Sequence, residues 1–443
     1  MTIKNTLLFL GIILAINLQA QHSISGNMAP AEDLKWLIAY KINATDQSYI
    51  ADAAITNGAF KLEIPENSPT GMYRIVYAIP QDQFYFDLIY NGKEDIVLSF
   101  DLETGLEFHA SQENTIYYNY FNQINELEYL IDQLYASDRP NQDMIEEHFK
   151  QLRGIQLSYE QQAKGFMAER FVKANQPYIP KEYQHREKYI IDKKKHYFAA
   201  IDFNDPVLQG SSFLINKVTN YVFNTFSTQS LSMDKVALEL QQNIDGVAAM
   251  LDTVDPEFAT QIMDKLWDIA VKNQLNPTAQ YIYSAYLHPL AKATNNKDLI
   301  QKIATHNRLQ IGAVAPEVEW NVEGTSYKLS ELSGNENYVL VFWSSECSHC
   351  TTQLPKLQQE LKAFSTAKVL AIGLENDEEN WKMEASRLPD FIHGISLGKW
   401  ESPYVKTYDI YQTPTYLILD AEKRILAKPG NYEEVVEFLK GQL

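Results

Sequence analysis

The chain is predicted to be multidomain, with a small antiparallel β-sandwich, a central α-helical bundle and a C-terminal α/β domain in that order. Three observations predict this. Apolar residues alternate with period two to about residue 110, recur every three or four residues to about residue 306, and then fall into strands that alternate with helices. A length of 443 residues is enough for two or three cores of ~100–200 residues each. The expected divisions are a leader at 1–20, the sandwich at 21–112, the helical domain at 113–308 and the α/β domain at 309–443.

The leader is read from Lys4, an almost unbroken apolar run from Leu7 to Leu18, and a small residue, Ala20, for cleavage. A dozen apolar residues fall short of the roughly 20 that a spanning helix needs, so the mature chain is expected to have no membrane span. A periplasmic, exported protein is the expected outcome. The sandwich follows from segments such as Phe60-Lys61-Leu62-Glu63-Ile64 after Asn57-Gly58, and Phe84 to Tyr90 before Asn91-Gly92. Asn-Gly accepts the positive φ angles of a tight turn, so both are read as hairpins. The aromatic residues there alternate with polar ones, as core packing requires.

The helical region shows three stripes: Tyr117, Phe121, Ile124, Leu127, Ile131 and Leu134; Ile145, Phe149, Leu152, Ile155 and Tyr159; and Phe258, Ile262, Leu266 and Ile269. Pro177, Pro180, Pro206, Pro256 and Pro277 mark helix boundaries. The basic cluster Lys193-Lys194-Lys195-His196 reads as a solvated helix face. His148, His185, His288 and His306 have no metal-like spacing. A net charge of -19 repels phosphate backbones and anionic lipid, which excludes nucleic acid as an expected partner.

The chemistry lies in the last domain. Tyr338-Val339-Leu340-Val341-Phe342-Trp343 is a central-strand run, and Leu354, Leu357, Leu361 and Phe364 have helical spacing, with Pro355 among them. Between them stand Cys347-Ser348-His349-Cys350, the only two cysteines in the chain. A helix N-terminus offers free N–H groups and about half a positive charge, which favours thiolate at the first cysteine. Cys347 is therefore the expected nucleophile and Cys350, one turn on, the buried resolving thiol. His349 is expected to stabilise the thiolate and Glu346 to oppose it, with His349 prevailing and a potential of roughly -250 to -180 mV. A zinc site would need two more ligands, drawn from residues such as His349 and His393, and a structural disulfide would close too short a loop to stabilise much. No cofactor and no metal are expected.

The segments Ile311 to Pro316, Lys328 to Leu332, Val339 to Cys350 and Tyr408 to Thr415 together resemble the TlpA-like thioredoxins of bacterial envelopes. The resemblance covers roughly the last 130 residues. It implies a thioredoxin fold, with Trp343 and Ser348 beside the site and Pro414 as a cis proline. That proline would turn the Thr413 backbone toward an extended substrate and keep metals away. Two features depart from it. Glu346 replaces the usual Trp, and the two usual places for a buried carboxylate hold Val341 and Gln353. The expected function is an exported thiol-disulfide oxidoreductase that exchanges disulfides with envelope proteins and with a redox partner protein. The alternative is a thioredoxin-fold binding or scaffold protein with a sensory dithiol; thiol peroxidase chemistry fits less well, because the second cysteine resolves within the same turn.

Overall fold

A computed structural model describes residues 22–226, 233–362 and 367–441. The leader at 1–20 and Phe364 lie outside these residues. The chain divides into two compact units, one ending at Thr294 and the other beginning at Asn295.

The first unit opens with eight strands: β1 (Ser23–Ala29), β2 (Trp36–Asn43), β3 (Asp46–Ala54), β4 (Ala59–Glu63), β5 (Gly71–Val76), β6 (Tyr85–Tyr90), β7 (Ile96–Asp101) and β8 (Gly105–Ala110). They form two four-stranded sheets, ordered β4-β1-β7-β8 and β3-β2-β5-β6. Alternation drives their packing: Leu37, Tyr73, Ile75 and Leu88 of one sheet and Ile24, Leu62 and Leu98 of the other share one core. Two details differ from expectation. β1 lies parallel to β7, so the sandwich is not wholly antiparallel. Both Asn-Gly turns also join strands of different sheets: Thr56 and Ala59 close an antiparallel bridge around Asn57-Gly58 before β3 and β4 part, and β6 and β7 on either side of Asn91-Gly92 do not pair. Asn57 (φ 52) and Gly58 (φ 79) do adopt the left-handed turn conformation. A turn sets only local dihedrals, however, and burial of two sheet faces decides which strands pair.

Helices follow at α1 (Gln112–Ala136), α2 (Gln142–Gln162), α3 (Ala168–Ala174), α4 (Arg186–Lys195), α5 (Pro206–Gln209), α6 (Ser212–Asn224), α7 (Met233–Leu251), α8 (Pro256–Lys272), α9 (Asn276–Ile282) and α10 (His288–Ala293), with a π turn at Tyr283–Leu287 before the last. Pro206, Pro256 and Pro277 sit in first turns, where a missing N–H costs nothing. The buried stripe of α1 is rotated slightly from its expected line, to Ile116, Tyr120, Ile124, Ile131 and Tyr135. The basic cluster is not a freely solvated face. Lys193 pairs with Glu128 at 3.0 Å and Lys194 with Glu239 at 3.2 Å, tying α4 to its neighbours. Among the described residues no helix is long and apolar enough to cross a membrane.

The second unit starts with α11 (Lys297–Arg308), followed by a β9 (Glu319–Val322) and β10 (Thr325–Lys328) hairpin. It continues through β11 (Asn337–Trp343), α12 (Ser348–Leu361), β12 (Ala367–Glu375), α13 (Glu379–Ala385), β13 (Ile392–Leu397), α14 (Pro403–Thr407), β14 (Thr415–Asp420), β15 (Ile425–Ala427) and α15 (Tyr432–Lys440). The sheet order is β13-β12-β11-β14-β15; β14 alone runs antiparallel to the other four strands, a thioredoxin-like arrangement. β11 is buried along nearly its whole length, as its continuous apolar run requires. Its residues feed two cores. Val339, Val341 and Trp343 pack with Leu354 and Leu357 of α12 on one face. Leu340 and Phe342 pack with Leu309, Trp320 and Tyr408 on the other.

Both cores are built entirely from this unit's own residues and share β11, which implies independent folding. A fragment of residues 295–443 is expected to unfold in one cooperative transition in urea, followed by circular dichroism. A broad, non-cooperative loss of signal would contradict this.

Candidate active site

Parallel pairing brings the carboxyl ends of β11, β12 and β13 to one edge of the sheet. The chain leaves β11 at Trp343 and enters α12 with Cys347 at the N-cap. Phe342 pairs with Thr415, so the amino end of the antiparallel β14 lies at the same edge and places Thr413 there. The Thr413-Pro414 peptide is cis. Cys347 Sγ lies 3.3 Å from the Thr413 carbonyl, to which the thiol donates, and accepts from the Cys350 N–H at 3.3 Å. Both cysteines are free: Cys347 is half-buried, and Cys350 is fully buried among Val339, Val341 and Leu354.

The two thiols are driven apart electrostatically. Burial pushes the Cys347 thiol up, but hydrogen bonds from the Cys350 and Thr413 side chains and the Cys350 and His349 N–H groups outweigh it. Its pKa falls below the ordinary thiol value. Burial, reinforced by the Cys347 sulfur, pushes Cys350 well above that value. This is the split that a nucleophile and a resolving thiol need.

The flanking residues are placed as follows. Trp343 is buried with Cys350, and its indole Nε1 has no partner. Ser348 is exposed, and its carbonyl accepts from Thr352 at 2.8 Å. His349 is exposed, and among the groups that lower the Cys347 pKa its backbone N–H contributes least. Glu346 is exposed and paired with Lys399, which sits next to the site from the end of β13. Its charge is therefore compensated locally, by a residue 53 positions away in the sequence. His393 Nε2 lies 2.8 Å from the Leu388 carbonyl, its Nδ1 is buried with no hydrogen-bond partner, and the ring packs near Trp381 and Phe391.

A buried carboxylate is present, at neither of the positions considered above. Glu375, at the end of β12, is 3% exposed. It accepts from the Ser345 N–H at 2.5 Å and the Ser344 hydroxyl at 3.2 Å. The Ser344 carbonyl in turn accepts from the Cys347 N–H at 3.1 Å. Burial, despite these bonds, pushes the Glu375 carboxyl above its ordinary value. Asn380 donates to the Ser345 hydroxyl at 3.0 Å, so the loop before the dithiol is held from two sides. The sequence signal was a glutamate closing the apolar run Val369 to Leu374. A cavity of about 240 Å³ opens beside Cys347, lined by Glu346, Leu374, Lys399, Trp400 and Thr413 among others.

His349→Pro removes one N–H from the first turn of α12, whose free donors favour the Cys347 thiolate, while fitting that turn sterically. Loss of thiolate stabilisation destabilises the reduced form, so the potential is expected to fall by tens of millivolts, where ~30 mV corresponds to ~1.4 kcal/mol. His349→Ala keeps the amide and is expected to change it less, since water and salt screen the exposed imidazole. Equilibration of each variant with glutathione measures both. An unchanged potential in the proline variant would remove the amide from the account.

Residues 311–428 match the AhpC/TSA family. The chain is 25% identical over 142 residues to the thiol-disulfide oxidoreductase ResA of Bacillus cereus, covering 32% of this chain and 80% of that protein. It is 24% identical over 147 residues to the ResA of Bacillus anthracis, with coverage of 32% and 80%. Among solved structures it is similar to the thioredoxin domain of a thiol-disulfide oxidoreductase from Bacteroides vulgatus, at 25% identity and a TM-score of 0.27, covering 30% of this chain and 99% of that one. A thioredoxin-like protein from Bacteroides caccae covers 60% of this chain and 98% of its own length, at 18% identity and a TM-score of 0.33.

Proposed function

We infer, from a C-terminal domain of the AhpC/TSA family with a split dithiol, that the chain is a thiol-disulfide oxidoreductase. It is exported, and it exchanges disulfides with envelope proteins. The observation that carries this reading is the low-pKa, accessible Cys347 thiol one helical turn from a buried, high-pKa Cys350. The Cys347 thiolate attacks one sulfur of a partner disulfide. The partner S–S bond breaks, and its other sulfur leaves with the electron pair and takes a proton. Cys350 gives up its proton and attacks the Cys347 sulfur, which releases the second partner thiolate and leaves the Cys347–Cys350 disulfide. Two electrons pass to the partner, and a redox partner protein returns them. Run backwards, the same steps oxidise a partner dithiol.

A negative charge at Glu346 and a site without a buried carboxylate would favour the scaffold alternative. Lys399 beside Glu346, and Glu375 beneath the loop, support the enzyme instead. A Cys350→Ser variant lacks the resolving thiol and should accumulate mixed disulfides through Cys347. Expressed with its leader, it is expected to yield thiol-reducible adducts in the periplasmic fraction that vanish when Cys347→Ser is added. Adducts no more abundant than in the double variant would contradict the reading.

A further inference from the structure

We propose that the cavity beside Cys347 is a subsite for the side chain flanking the reacting cysteine of a polypeptide substrate, and that Trp400 makes it select bulky apolar side chains. The proposal rests on the oxidoreductase reading above and adds the class of substrate. At about 240 Å³ the cavity is smaller than the ~300–1,000 Å³ typical of small-molecule and cofactor sites, so its scale suits one side chain. It is continuous with the reactive sulfur and with Thr413, so whatever fills it stands next to the sulfur under attack.

Its two large uncharged walls are apolar, beside the smaller Ser344, Cys347 and Thr413. Leu374 is 1% exposed and forms part of the lining, and the Trp400 indole, on a side chain 49% exposed, forms another part. Glu346 and Lys399 both line the cavity, but they pair with each other, so it offers an incoming side chain no net charge. Selection therefore falls on apolar bulk. Exposed Leu397 and Tyr411, the latter two residues before Thr413, extend apolar surface from the same edge of the sheet, as surfaces that bind other chains do.

The Trp400 wall is preformed. Gly398 (φ 98) and Lys399 (φ 47) are consecutive left-handed residues, a conformation that glycine accepts and that a lysine adopts only under constraint. The constraint is visible. The Gly398 N–H donates to the Glu375 carbonyl at 2.9 Å, and the Glu401 N–H closes the turn on the Gly398 carbonyl at 2.7 Å. The turn that carries Lys399 and Trp400 thus hangs from the end of β12, and little ordering remains to be done when a substrate binds.

The test uses the reduced full-length protein and disulfide-linked dimers of short peptides, each with one cysteine flanked by Trp, Leu or Gly, before it in one series and after it in the other. In a single turnover Cys347 attacks a peptide sulfur and one peptide leaves as thiolate. Cys350 then loses its proton to solvent and frees the second peptide, so two peptide thiols form per protein disulfide. Their release is followed by chromatography. The Trp and Leu peptides are expected to react at least about 10-fold faster than the Gly peptide in one series, the discrimination an apolar pocket provides. Trp400→Phe should keep that ratio. Trp400→Ala and Trp400→Gln should bring it within twofold, and either one that folds suffices. A wild-type ratio below twofold in both series, or a ratio that survives the Ala or Gln change, overturns the subsite alone. Failure of the wild-type protein to reduce any peptide, Gly included, overturns the oxidoreductase reading and the subsite with it.

Discussion

Iodoacetamide added to the reduced protein at neutral pH is expected to label Cys347 at least about 100-fold faster than Cys350, because each pKa unit changes the thiolate fraction tenfold. The structure separates the two thiols in three ways that act together. Cys347 is half-buried at a helix N-cap and receives N–H donors, whereas Cys350 is fully buried with its acidity suppressed. The labelling rate of Cys347 should reach half its maximum at a pH below that of an ordinary thiol. Peptide mapping that found Cys350 labelled first would reverse the assignment.

The same shifts make the stability of the reduced protein pH-dependent, with opposite signs. The folded pKa of Cys347 is depressed, so its contribution is present above the unfolded thiol pKa and is lost as pH falls through the folded value. The folded pKa of Cys350 is raised, so its contribution is present below the unfolded pKa and is lost as pH climbs through the folded value. Alkaline destabilisation is thus expected to come from Cys350 and to be relieved in a Cys350→Ala variant.

Cys347→Ser is expected to lower disulfide reduction by at least ~10³-fold, because a hydroxyl at that position has neither the acidity nor the nucleophilicity of the thiolate. Nothing nearby can substitute. Cys350 is the only other cysteine and lies fully buried in the first turn of α12. Turnover of dithiothreitol-driven reduction by the variant gives the magnitude, and activity within tenfold of wild type would move the nucleophile elsewhere.

How much of this was legible in the sequence depended on whether a feature is local. The strand Tyr338 to Trp343, the helix from Ser348 and the N-cap position of Cys347 are set by consecutive residues, and each stands where pattern alone places it. Asn57-Gly58 gave its dihedrals away but not its strand partners, because pairing depends on which sheet faces become buried. Lys399 is 53 residues from Glu346 and Glu375 is 30 from Ser345. Neither neighbour is visible until three parallel strands bring their ends to one edge. His349 stands in the first turn of α12, but its exposure depends on the surrounding fold, and the N–H that reaches the Cys347 sulfur is that of Cys350.

The central claim, that Cys347 and Cys350 form a working redox pair and not a relic on a docking surface, is tested most directly by insulin reduction with dithiothreitol. The wild-type chain is expected to accelerate precipitation of the insulin B chain well beyond dithiothreitol alone, and Cys347→Ser to return it to the reagent rate. A wild-type protein no faster than the reagent, with both thiols titratable, would contradict the account and leave the domain as a binding module.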